Sequence, residues 1–207
     1  MINAFERLAR SNHSIACSGA TLRAVGNRDD LLAGAKRCLL ERGYAASTVR
    51  DIATEAGVSM AAIGYHYGSR EALLTRAMDD LIDDWGRAIA TSMGAATDPR
   101  DMWARMISSF AANRALFVAS LDAAVLAGRS EPLRELLANS LEQGRAGAAA
   151  AVLGVDEDGL DPTTIRTTGS AQLALVTGML VQHLCDPGRA PSADDLLIGL
   201  RRLADPT

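Results

Sequence analysis

Apolar residues recur at helical spacing along nearly the whole chain, and glycine, proline and N-capping residues separate the apolar stretches. The sharpest such pattern lies between residues 48 and 67. Thr48 and Asp51 have the spacing of a capping box at the start of a helix, and Gly57 can supply the left-handed residue that ends it. Ser59 is then a suitable N-cap for a second helix. The pattern therefore predicts two short helices joined by a tight turn.

These two short helices are predicted to have one apolar side and one side that can approach a partner closely. The apolar side, which would face a core, comprises Val49, Ile52, Ala53, Ala56, Ile63 and Tyr67. The other side of the second helix carries Met60, Ala61 and Gly64, followed by Tyr65 and His66. A helix with small side chains that ends in hydrogen-bonding aromatic residues can enter the major groove of DNA. We therefore expect a helix-turn-helix that binds double-stranded DNA.

The remaining pattern is helical throughout, without strand alternation or an internal repeat. Residues 1–27 are polar and aperiodic, which predicts a mobile N-terminal arm. Further helices are predicted over residues 29–42, 69–93, from Pro99 onward, 116–128, 130–154, 162–185 and 192–203. Together with the two short helices, these segments predict an all-α protein of nine helices.

Residues 41–74, ERGYAASTVRDIATEAGVSMAAIGYHYGSREALL, resemble the DNA-binding domain of TetR-type transcriptional regulators. The resemblance implies a three-helix DNA-binding domain at residues 28–74 and a helical body at residues 75–207 that dimerises and encloses an effector pocket. It also implies repression from a palindromic operator, relieved by a small molecule. Met60 stands where many members carry lysine, and Gly64 where many carry tyrosine, so the operator sequence does not follow from relatives.

The resemblance further implies which residues contact DNA phosphates: Thr48, Ser59, Tyr65, His66 and Arg70. Their hydroxyl, imidazole and guanidinium groups can donate hydrogen bonds to phosphate oxygens. For Tyr65 the alternative is packing in the core, and for His66 it is capping of its own helix.

Arg50 is the candidate base reader, because Met60, Ala61 and Gly64 have no side-chain donors. At the matching position some TetR-type proteins reach a guanine, and a guanidinium matches guanine O6 and N7. The alternatives are a solvated Arg50, or one that pairs with Glu55 or with a phosphate.

The helix over residues 162–185 is apolar or small nearly all round, so every side of it must be covered. A second copy of the chain, packed on residues 162–204, would cover the side that its own core leaves open. The alternative is complete burial inside one protomer.

Six large residues of the body could line an apolar effector pocket: Trp85, Met102, Trp103, Met106, Phe110 and Phe117. The alternative is that they fill the core, and nothing in the sequence identifies an effector.

Charge is distributed unevenly along the 207 residues, whose net charge is −4. Residues 1–70 hold 9 Lys+Arg and 6 Asp+Glu, a net charge of +3. Residues 71–207 hold the remaining 12 Lys+Arg and 19 Asp+Glu, a net charge of −7. A basic end on an acidic body would direct DNA to that end.

Other classes of function find little support in the sequence. The histidines lie far apart, and there is no Gly-rich phosphate loop, no G-x-S-x-G motif and no metal-ligand pair. We therefore expect no catalytic residue, no metal and no cofactor. A DNA-binding interaction protein without a ligand, and a helical enzyme, remain the alternatives.

Scattered cysteines and the lack of an apolar run of ~18 residues predict a cytoplasmic protein that does not enter a membrane.

Overall fold

The computed structural model describes residues 19–205, with side chains from residue 27 onward. This part of the chain is helical and contains no strand, which confirms the all-α prediction. The helices are α1 (Gly19–Ala46), α2 (Val49–Ala56), α3 (Ala61–Tyr67), α4 (Arg70–Gly94), α5 (Pro99–Ala112), α6 (Arg114–Ala127), α7 (Glu131–Leu153), α8 (Pro162–Thr164), α9 (Ser170–Cys185) and α10 (Ala193–Ala204). A 3-10 turn, Glu157–Gly159, and a π-helical turn, Ile165–Gly169, complete them.

The first helix is longer than the apolar pattern predicts. It begins at Gly19, so residues 19–27 of the expected arm are helical, while residues 1–18 lie outside the described part. Ala, Leu and Arg favour a helix here, and no proline interrupts it. The expected stop at Gly43 is a break rather than an end: Gly43 has φ 77° and ψ 174°, and α1 then continues to Ala46. Only glycine adopts this backbone conformation readily.

Two clusters of buried side chains hold the described helices together. The first joins α1–α4 to α6 and α7, and its fully buried members include Leu31, Leu39, Ile52, Leu73, Leu74, Met78 and Leu133. The second joins α5, α6, α9 and α10 and contains Trp103, Phe110, Phe117, Val176, Met179 and Leu180. Trp85 of α4 packs against both clusters. The helix α4 therefore links the core of the three N-terminal helices to the core of the body.

The helix predicted over residues 162–185 is interrupted by the π-helical turn. At Gly169, a Cβ atom would overlap the carbonyl oxygen of Arg145, so the backbones of α7 and the π-helical turn are in close contact. A π-helical turn adds one residue to a helical turn. Apolar spacing did not reveal it, because the extra residue leaves the surrounding pattern nearly helical.

Membrane-spanning helices and metal clusters are two features that distinguish other kinds of protein. No single helix there is long and apolar enough to cross a membrane, and α5 with α6 reaches that length and composition only as a pair bent by 83°. No group of three or more His, Cys, Asp or Glu side chains in that part could hold a metal ion. The thiol of Cys38 is buried in the first core, and burial raises its pKa.

Candidate nucleic-acid interface

Local hydrogen bonds build the start and the end of α2 as the sequence predicts. The Thr48 hydroxyl oxygen accepts the Asp51 N–H at 3.2 Å, and the Thr48 N–H donates to the Asp51 carboxylate at 3.1 Å. These contacts form the capping box, and hydrogen bonds from Thr48 lower the pKa of Asp51. At the other end, Gly57 has φ 68° and ψ 24°, and the Val58 N–H donates to the Ala53 carbonyl at 3.0 Å. The turn of the helix-turn-helix is therefore a left-handed glycine cap.

The second helix of the motif begins differently from the prediction. The structure starts α3 at Ala61, and no side-chain hydrogen bond caps it, so the expected capping by the Ser59 hydroxyl is wrong. Backbone bonds form the entry instead: the Ala62 N–H donates to the Ser59 carbonyl at 3.0 Å, and the Ile63 N–H donates to the Met60 carbonyl at 3.2 Å. A tight backbone turn therefore takes the place of the cap, and the Ser59 side chain remains exposed.

The motif has one buried and one exposed side. Ile52, Ala53 and Ile63 are buried in the first core. We call the exposed side the recognition face; it consists of Arg50, Ser59, Met60, Ala61, Gly64 and Tyr65. Tyr65 is 81% exposed, which rules out its packing in the core. A small, exposed helix surface beside an arginine suits close approach to base edges.

Arg50 is free to contact an external partner. Its side chain is exposed and forms no hydrogen bond or ion pair within residues 27–205. Glu55, a possible partner in the sequence, pairs instead with Arg37, whose Nε lies 2.5 Å from the Glu55 carboxylate. The alternative of an Arg50–Glu55 pair is therefore wrong.

The end of α3 is fixed to α1 by Tyr67. The Tyr67 hydroxyl donates to the Arg28 carbonyl at 2.9 Å, and the Arg28 guanidinium lies 5.7 Å from the centre of the Tyr67 ring. Burial raises the pKa of Tyr67. His66 is half-buried and contacts Tyr65 edge-to-face with 4.8 Å between ring centres. The backbone N–H of Gly68, rather than the imidazole, caps this end of α3.

Arg70 is engaged inside the protein, whereas the sequence predicted a phosphate contact. Its Nε donates to the Ser47 carbonyl at 2.5 Å, and its Nη2 donates to the Tyr44 and Ala45 carbonyls at 2.7 and 3.2 Å. Its Nη1 donates to the Glu71 carboxylate at 3.1 Å. The side chain is only 21% exposed. The sequence gave no signal for these contacts, because the three carbonyls lie 23–26 positions earlier in the chain.

Most of the expected pocket residues fill the body core instead of lining a cavity. Trp103, Phe110 and Phe117 are buried in the second core, and Met102 and Met106 pack against it. Apolar side chains at helical spacing on facing helices pack closely against one another, as they do in protein interiors. An open groove of about 550 Å³ does lie between α4 and α5, and of the six predicted residues only Trp85 borders it. Its other lining residues include Ile89, Asp101, Ala104, Arg105, Ser109 and Asn113.

Comparison with known proteins relates the motif and the fold to one family. Residues 31–77 match the family described as bacterial regulatory proteins, tetR family. The HTH-type transcriptional repressor AcnR of Corynebacterium efficiens is 41% identical over 51 residues, which are 25% of this chain and 27% of that protein. The HTH-type transcriptional regulator BetI of Brucella anthropi is 32% identical over 114 residues, which are 53% of this chain and 59% of BetI. Both matches thus span less than two thirds of the relative's own length.

The likeness in fold extends over most of the chain. A TetR transcription regulator from Haloarcula marismortui superposes with a TM-score of 0.60 at 23% identity, over 87% of this chain and 96% of that chain. The family match thus covers the helix-turn-helix, and the likeness in fold includes the helical body. The chain thus carries the DNA-binding motif that is typical of the TetR family of bacterial regulatory proteins.

Proposed function

We propose that the protein is a DNA-binding transcriptional regulator that represses transcription by occupying a palindromic operator. The recognition face carries this proposal, because it exposes an unpaired arginine and a small-residue helix surface on a motif whose other side is buried. The name of AcnR, a transcriptional repressor, supports repression over activation. We place the protein in the cytoplasm, where it would meet its operator.

Within this proposal, the side chains have separate roles. Arg50 reads a guanine, while Met60, Ala61 and Gly64 allow close approach and offer apolar contact to thymine methyl groups. Thr48, Ser59, Tyr65 and His66 donate to phosphate oxygens and thereby fix the position of α3. The Thr48 hydroxyl donates its single proton to the Asp51 carboxylate at 2.5 Å while it accepts the Asp51 N–H, so it donates to a phosphate only by exchanging the bond to the carboxylate.

The proposal includes a homodimer formed through residues 162–204. One side of α9 is buried in its own protomer through Val176, Met179 and Leu180. The opposite side is exposed and small or apolar; it comprises Ala171, Ala174, Thr177, Gly178, Val181 and Cys185. Ile198 and Leu203 of α10 are 47% and 79% exposed. A second copy packed on this surface would give the two-fold symmetry that a palindromic operator requires.

The proposed regulation uses α4, whose first turn adjoins the motif and whose middle packs on both cores. We keep residues 28–74 as the DNA-binding domain and residues 75–207 as the effector-binding and dimerisation domain. An apolar effector would enter between α4 and α5, where the buried indole Nε1 of Trp85 has no hydrogen-bond partner in the described residues. The effector releases DNA only if it binds more tightly to a conformation in which the spacing of the dimer's two recognition helices no longer matches the operator. Ligands that bind the body without changing operator affinity would contradict this mechanism.

Fluorescence anisotropy tests the DNA-binding function directly. Labelled duplexes tile the genomic DNA that flanks the gene, and a shuffled duplex of equal length serves as the control. At physiological salt, one flanking duplex should bind about 10³-fold or more tightly than the shuffled one, and its affinity should fall steeply as salt rises. Equal affinity for all duplexes would show that the protein binds DNA without sequence specificity. That result would favour the alternative of an interaction protein.

A further inference from the structure

We infer that Arg70 is a positioning residue that fixes residues 44–48, called here the α1–α2 segment, to the first turn of α4, so that Thr48 and Arg50 are held in place for DNA. This inference rests on the proposed function. It assigns to Arg70 a role through neighbouring backbone instead of a direct contact with a phosphate.

The guanidinium is almost fully occupied by the protein. Four contacts use four of its five N–H donors: three go to carbonyl oxygens of the α1–α2 segment, and one goes to Glu71. Charge-assisted hydrogen bonds of this kind are stronger than neutral ones. A phosphate contact would compete with these contacts for the same donors.

The accepting carbonyls are groups that the helix itself cannot satisfy. The last four carbonyls of a helix have no amide partner inside it, and α1 ends at Ala46. Ser47, which is fully buried, donates its hydroxyl to the Gly43 carbonyl at 2.7 Å, and Arg70 takes the Tyr44 and Ala45 carbonyls. A cation at a helix C-terminus is also favoured by the helix dipole. Arg70 therefore completes the end of α1.

A second set of contacts ties the same segment to α4. Tyr44 is 4% exposed, and its ring centre lies 5.9 Å from the Arg70 guanidinium. Its hydroxyl lies 3.2 Å from the Thr75 hydroxyl of α4. Thr48, which caps α2, directly follows Ser47, whose carbonyl Arg70 holds. The position of α2 relative to α4 thus depends on Arg70.

The test compares Arg70→Lys and Arg70→Gln with the wild-type protein, at a temperature where circular dichroism shows each variant to be folded. Lysine keeps the charge but lacks the planar fork that spans three carbonyls, and glutamine loses the charge. We expect both variants to bind flanking and shuffled DNA about tenfold more weakly. The slope of log affinity against log salt should stay within about 0.3 of the wild-type value, since no phosphate contact is lost.

Two measurements without DNA accompany the binding data. The melting temperature of both variants should fall by about 5 °C, and amide hydrogens of residues 44–51 should exchange about tenfold faster. Asp98→Ala is the stability control, because it removes the N-cap of α5 in the body. It should lower the melting temperature while leaving DNA affinity and exchange at residues 44–51 unchanged.

The opposite pattern would overturn the inference. If Arg70→Lys binds DNA like wild type while Arg70→Gln loses about one unit of salt slope, and exchange at residues 44–51 does not change, Arg70 is a phosphate contact. If the wild-type protein shows no preference for flanking DNA, the proposed function fails instead. The exchange and melting data then still decide whether Arg70 fixes the segment.

Discussion

Arg50 is the exposed arginine of the recognition face, and it has no partner among residues 27–205. If it reads a guanine, Arg50→Ala should lose about 1–3 kcal/mol of discrimination at one symmetric base position. Binding to shuffled DNA should fall only modestly. Affinities of single-base operator variants, measured by anisotropy, check this expectation. Arg129→Ala removes the same charge from an exposed position just after α6, outside residues 162–204, and should leave both affinities unchanged.

A different outcome would assign Arg50 to another role. If Arg50→Ala weakens operator and shuffled DNA by the same factor, Arg50 only positions the protein on the backbone. Specificity would then come from DNA shape or from the N-terminal arm.

At the scale of single residues, the sequence predicted what local spacing determines. The capping box of Thr48 and Asp51 and the left-handed Gly57 follow from neighbours within a few positions, and the structure confirms them. The role of Arg70 did not follow, because its carbonyl partners come from a helix end more than twenty residues away. From the sequence alone, a charged side chain is expected to be exposed, because its distant hydrogen-bond partners come close to it only in the folded protein.

At the scale of helices, acidic residues at four helix starts predict acid sensitivity. Hydrogen bonds from nearby hydroxyl and backbone N–H groups lower the pKa of Asp51, Asp101, Asp161 and Asp195 below the ordinary value of 3.8. A carboxyl with a lowered pKa stabilises the fold above its ordinary pKa, and that contribution is lost as pH falls through the lower, folded value. The urea midpoint should therefore decrease between pH 5 and pH 3.

Asp51→Asn provides the matched comparison for α2. It should be less stable than wild type at pH 7, and the difference should shrink as pH falls below 3.8 and through the lower pKa of the folded Asp51 carboxyl. A difference that stays constant over this range would show that the Asp51 charge does not stabilise the helix start.

The crossing of α7 with the π-helical turn predicts that Gly169 tolerates no side chain. In Gly169→Ala the Cβ would overlap the Arg145 carbonyl, so unfolding free energy should fall by about 1–3 kcal/mol. Gly86→Ala is the control: its Cβ would meet nothing within 4 Å, and alanine should stabilise α4 by about 0.5–1 kcal/mol. Urea denaturation measures both. Equal stability of Gly169→Ala and wild type would show that the two backbones are farther apart.

Helix order and approximate ends were predictable, because capping residues and prolines mark them: Asp98 and Pro99 open α5, and Ser192 opens α10. The π-helical turn and the early start of α1 were not. The π-helical turn reflects contact with another helix, and the early start of α1 has no capping residue or apolar pattern that marks it. The sequence also could not separate core residues from pocket residues, since apolar spacing is the same for a core and for a cavity wall.

At the scale of the whole molecule, the dimer proposal makes a sharper prediction than the sequence allowed. Val176 lies in the protomer core, so a charge there would unfold the chain instead of separating two copies. Gly178 lies on the exposed side of α9 with nothing within 4 Å of its Cβ position. Gly178→Arg should therefore give a folded monomer in sedimentation experiments, because it buries an unpaired charge in the interface. Gly128→Arg, on an open position at the end of α6, should remain dimeric.

Two results would contradict this part of the account. Wild-type protein that sediments as a monomer at micromolar concentration would rule out the proposed dimer directly. A Gly178→Arg variant that stays dimeric would place the interface elsewhere on the molecule.

Footprinting of the flanking genomic DNA tests the central claim most directly. A two-fold regulator that reads DNA through the recognition face should protect two half-sites of inverted sequence, with centres about one helical turn or a multiple of it apart. Arg50→Ala at the same protein concentration should lose this protection, and Arg129→Ala should keep it. If wild-type protein protects no flanking DNA at low salt, or protects it without two-fold symmetry, the account of a dimeric operator-binding regulator is contradicted.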